Sequence, residues 1–70
     1  MRIYVKIMSG KIFTFDLDTF GFIHKIKKIR YLMSREIRQL PQNLIILKNG
    51  QIIDDSEILT EDKYDVFVNV

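Results

Sequence analysis

Six apolar residues, Phe22, Ile26, Ile29, Met33, Ile37 and Leu40, recur at steps of three and four, the spacing of an α-helix with one buried stripe. At about 100° per residue they share one arc, and His24, Lys25, Lys27, Lys28, Arg35 and Arg38 lie on the other. The spacing predicts a helix of roughly 17 residues, about 25 Å long, apolar on one side and cationic on the other. Pro41 should stop it, since proline has no N–H to donate and pushes its predecessor out of the helical region. Thr19 is a candidate N-cap, without the Glu or Gln three residues on that completes a capping box. Such a helix needs a sheet to lie on.

The flanking segments supply one. Met1, Ile3 and Val5 alternate with Arg2, Tyr4 and Lys6, and Phe13, Phe15 and Leu17 alternate with Ile12, Thr14 and Asp16. Each run reads as a half-buried strand, and Gly10 in the short gap between them marks a hairpin. Beyond the helix, Leu44-Ile45-Ile46-Leu47 is too short for a helix and reads as a central strand. Asn49-Gly50 is a strong two-residue hairpin signal, with Gln51-Ile52-Ile53 as the return strand. Asp54-Asp55-Ser56-Glu57 is a polar turn under which Ile58 and Leu59 should tuck, and Val66, Val68 and Val70 form the inward side of a last strand. The order is α+β, with a parallel central pair joining the first strand to the last through right-handed connections.

Seventy residues fit one domain, 1–70, with a thin margin of stability, because a chain this small buries only around 60% of its extended surface. The absence of cysteine excludes disulfides, thiolate metal sites and cysteine catalysis. No apolar run approaches a membrane span or a signal-peptide core, so the expectation is a soluble, unsecreted protein of the cytoplasm or nucleus. Residues 1–40 carry nine Lys and Arg against three acids, and residues 41–70 carry two against six. Such a split steers partners of either sign or is simply solvated surface.

The run Met1-Arg2-Ile3-Tyr4-Val5-Lys6-Ile7-Met8-Ser9-Gly10-Lys11 resembles the opening hairpin of the ubiquitin and ubiquitin-like family. Asp16-Leu17-Asp18 resembles the end of the family's second strand, and Ile23, Ile26 and Lys27 fit its helix. Leu40-Pro41, Ile46-Leu47 and Asn49-Gly50-Gln51-Ile52-Ile53-Asp54-Asp55 resemble its later stretches. The resemblance implies a ubiquitin-like β-grasp: a mixed four- to five-stranded sheet packed on one helix in ββαββ order. It implies a protein-interaction module, with ubiquitin-binding domains or ubiquitin-pathway enzymes as partners, and no cofactor or small-molecule substrate. The chain departs from the family in three places. The helix-to-strand connection lacks the family glycine, the segment between Leu59 and Tyr64 is shorter, and residues 1–70 lack a terminal Gly-Gly. As it stands the module is therefore not conjugable; the alternative is a conjugable modifier whose tail lies past Val70.

The resemblance places a protein-binding apolar patch at Met8, Leu47, Phe67 and Val70. Strand parity agrees for two of these: if Ile46 and Val66 point inward, Leu47 and Phe67 point out. Tyr4, Ile12 and Thr14 form a second outward set, which serves either as a contact patch or as a cross-strand support for the hairpin. Lys6, Lys11 and Lys27 match positions that accept modification in the family, although an exposed lysine is commonly only a solvated charge. Lys25, Lys28, Tyr31 and Arg35 interleave bases with an aromatic, as in single-strand nucleic-acid binding, a further alternative set against a plain charged helix face. No catalytic or metal site is expected. His24 is the sole histidine, and Asp54-Asp55 and Glu61-Asp62 lack further ligands at usable spacing.

Overall fold

The computed structural model describes residues 1–70 except 19, 22, 61 and 70. The first alternating run folds as β1 (Arg2–Lys6) and β2 (Ile12–Asp16), paired antiparallel from Arg2↔Asp16 to Lys6↔Ile12. Gly10 adopts φ +92° at their turn, where its N–H donates to the Ile7 carbonyl at 2.9 Å and Ile7 N–H to the Lys11 carbonyl at 3.0 Å. The positive φ is why glycine stands there.

After α1 (Lys27–Glu36) and a 3₁₀ turn at Pro41–Asn43 come β3 (Leu44–Lys48), β4 (Gln51–Ile52) and β5 (Lys63–Val68). Asn49 and Gly50 both have positive φ, as a type I′ turn requires, and set the register Leu47↔Ile52 and Lys48↔Gln51. The five strands lie in the order β2-β1-β5-β3-β4. The β1–β5 pair is parallel and β3–β5 antiparallel, so the first and last strands meet at the centre. This is the β-grasp arrangement that the resemblance implies.

One face of the sheet carries the core. Ile26, Ile29 and Met33 join Ile3, Val5, Leu44, Ile46, Leu59, Tyr64 and Val66 in a single buried cluster. In a domain with so few core residues, Ile29→Ala or Met33→Ala removes about 2–5 kcal/mol, a large part of the stability of any small protein.

The helix is shorter than its periodicity predicts. Residues 24–27, up to and including the first helical residue, are engaged by the loop at 55–59. Ile26 N–H donates to the Glu57 carbonyl at 2.9 Å, Lys27 N–H to Asp55 at 3.2 Å, and Leu59 N–H to His24 at 2.8 Å, beside an antiparallel bridge between Lys25 and Ile58. Backbone carbonyls thus satisfy the first helical N–H groups, and no side chain caps them. The candidate cap Thr19 and the apolar Phe22 lie outside the described residues.

The other end also departs from expectation. Arg38 takes φ 55° and Gln39 N–H reaches back to the Ser34 carbonyl at 3.1 Å, the six-to-one bond of a Schellman motif. The chain therefore leaves the helix before Pro41, which opens the 3₁₀ turn instead of ending α1. Leu40, expected on the buried stripe, is 58% exposed because it follows that reversal, and Ile58 is exposed while only Leu59 reaches the core. Ile23, matched to the family helix, lies ahead of it and is also exposed.

Candidate protein-docking face

Strand parity builds the site. With Ile3, Val5, Ile46, Tyr64 and Val66 turned to the core, their neighbours must point to the opposite side of the sheet. The register then lines up Ile12, Lys6, Asp65, Leu47 and Ile52 in one row across all five strands. The next row sets Ile45 directly opposite Phe67. Partners so placed have Cβ atoms about 5 Å apart, and Leu47 lies on the diagonal from Phe67 at about 7–8 Å.

Phe67 is 39% exposed, and Ile45 and Leu47 are half-buried. Together they make an apolar surface across the paired strands β3 and β5. Ile45 was not singled out from the sequence, although the parity that puts Leu47 outward applies equally to a residue two positions earlier.

Met8 is exposed at the tip of the first hairpin, outside the strand ladder, where it borders a depression of about 170 Å³ with Ile7, Ile37 and Val68. Register alone does not set it against Leu47 or Phe67, and Val70 lies outside the described residues. The second set stays together: Tyr4 pairs with Thr14 and Lys6 with Ile12, and Tyr4 and Ile12 line a shallow groove of about 300 Å³ with Lys6, Lys63 and Asp65. Lys6 and Asp65, abreast in the central row, separate this set from the Ile45–Phe67 surface.

The other residues singled out from the sequence fall elsewhere. Lys6, Lys11 and Lys27 are all exposed. The Lys11 ammonium stands 4.8 Å above the Phe13 ring, and that of Lys27 5.6 Å from Tyr31. Of the basic set, Lys28, Tyr31 and Arg35 share α1, but Lys25 precedes the helix and its ammonium donates to the Ser56 carbonyl at 3.2 Å. His24, expected on the helix, also precedes it, with Nε2 2.7 Å from the Asp18 carbonyl oxygen.

The carboxylates serve the loops. Asp54 accepts from the Ser56 hydroxyl and, at 3.2 Å, from its N–H. The hydroxyl first, and then the N–H, hold its pKa below the ordinary carboxylate value. Asp62 is lowered as well, chiefly by the Lys63 N–H at 2.7 Å and then by Lys48, whose ammonium stands 3.4 Å away. Glu61 lies outside the described residues.

Two structural residues were not singled out from the sequence, although the alternation through Val66 and Val68 turns Tyr64 inward as well. Arg30 Nε donates to both Asp55 oxygens at 3.0 Å, and its Nη1 to the Pro41 and Leu44 carbonyls at 2.7 and 2.5 Å. Tyr64 is buried, its hydroxyl donating to the Thr60 carbonyl at 3.0 Å and accepting from the Thr60 N–H at 3.2 Å.

Among solved structures, the crystal structure of the UBL domain of Plasmodium falciparum Dsk2 is similar to this chain. Its TM-score is 0.77, with 97% of this chain and 96% of that one covered, at 14% identity. No protein-family model matches the chain, and no curated protein sequence does. At that identity the likeness is one of fold, and the fold is the ubiquitin-like β-grasp.

Proposed function

We propose that this ubiquitin-like β-grasp domain is a protein-interaction module that docks partners on Ile45, Leu47 and Phe67. One observation carries the reading: an aromatic and two branched aliphatics lie in register on the sheet face that α1 does not cover. Aromatic anchors ringed by smaller apolar groups are what a partner helix or loop buries. Lys6 and Asp65 beside them supply a charged border that fixes orientation more than affinity. The partners are proteins of the cytoplasm or nucleus, and ubiquitin-binding domains and ubiquitin-pathway enzymes are the first to test.

Affinity capture from cytosol with wild type beside Leu47→Arg and Phe67→Ser tests this. Both side chains face outward, so circular dichroism should stay unchanged while the captured proteins are lost. Undiminished capture by both variants would sink the reading.

A further inference from the structure

The outward pole of α1 is a second surface, on the side of the molecule opposite the docking face. At about 100° per residue, Lys27, Lys28, Tyr31 and Arg35 fall within one arc centred opposite Ile29 and Met33, the buried pair of the helix. Tyr31 sits at the middle of that arc and is 49% exposed, with Lys27, Lys28 and Arg35 each three or four residues away. Arg38 follows just past the helix end. Among the described residues the ion pairs are Arg2–Asp16, Arg30–Asp55 and Lys48–Asp62. None of Lys27, Lys28, Arg35 and Arg38 belongs to one of those pairs, and all four are exposed.

We infer that this pole binds single-stranded nucleic acid. Lys28 and Arg35 lie about 10 Å apart along the helix axis, so backbone phosphates can run past both while an unpaired base stacks on Tyr31. An anionic strand with exposed π-faces fits cations ranged around an aromatic, because its phosphates meet the cations while its bases stack on the ring. The inference is independent of the docking reading, because the two surfaces share no residue.

The test is fluorescence anisotropy of a labelled oligouridine of twelve nucleotides, titrated with the protein at several salt concentrations. The expected dissociation constant is about 1–100 µM, with a log–log salt slope of about −2 to −3 for three or four phosphates neutralised. Lys28→Gln/Arg35→Gln should flatten that slope. Tyr31→Ala should weaken binding about five- to a hundredfold, and Tyr31→Phe should retain it. Phe67→Ser should bind like wild type, which separates this result from any failure of the docking face. No saturable binding at 50 mM salt overturns the proposal. So does equal binding by Tyr31→Ala, which marks mere cation exchange, or a preference for phosphatidylserine vesicles over the oligonucleotide.

Discussion

Arg30 shows how much one side chain can decide. Its guanidinium ties α1 to the Asp55 loop and to the carbonyls of Pro41 and Leu44, so three segments distant in sequence depend on one planar fork. Arg30→Ala should lower stability by about 2–3 kcal/mol, the scale of hydrogen bonds to charged groups, and Arg30→Lys should recover little of it because one ammonium cannot reach Asp55 and the Pro41 and Leu44 carbonyls together. Urea denaturation checks both. In the sequence Arg30 is one more base, because the carboxylate that makes it structural comes from 25 positions away. Ile45 was missed for another reason: parity turns it outward with Leu47, but only the inter-strand register sets it opposite Phe67. Asp54 and Asp62 make part of the stability pH-dependent. Their folded pKa values are depressed, so the stability they add is present above the ordinary value of about 4 and is lost as pH falls through the folded values. An Asp54→Asn/Asp62→Asn variant should melt below wild type at pH 7, and the gap should narrow as pH falls below about 4.

At the scale of the element, α1 shows what periodicity omits. The apolar steps correctly marked Ile26, Ile29 and Met33 as core, yet the helix occupies only Lys27–Glu36. Its N-terminal flank is spent pairing with residues 55–59, a partnership formed only when the chain closes. Its C-terminal limit rests on a left-handed residue that the sequence does not advertise, since an arginine stands where glycine is usual. Arg38→Gly should relieve a strain of about 1 kcal/mol or slightly more, raising the melting temperature by about 4–8 °C in a domain this size. A lower melting temperature would show that the Arg38 side chain contributes more than its backbone costs. The hairpin turns needed no such correction: Gly10 and Asn49-Gly50 announced their positive φ in the sequence, and the structure uses all three.

The whole molecule is a sheet with two different outsides. The β-grasp order puts β5 between β1 and β3; the β3–β5 register aligns Ile45, Leu47 and Phe67 on one surface and leaves the cationic pole of α1 on the other. Fold class and strand order were legible because alternation, turn residues and the resemblance of the opening hairpin all pointed the same way. The composition of the docking face was only partly so, because placing Met8 and pairing Phe67 with Ile45 depend on inter-strand register. The most direct test of that face is amide chemical-shift mapping of the isotope-labelled domain titrated with a ubiquitin-binding domain or another captured partner. The account predicts shifts concentrated at Ile45, Leu47 and Phe67 and their sheet neighbours, with α1 silent; shifts confined to α1 or to the hairpin edge, with those three unmoved, would contradict it.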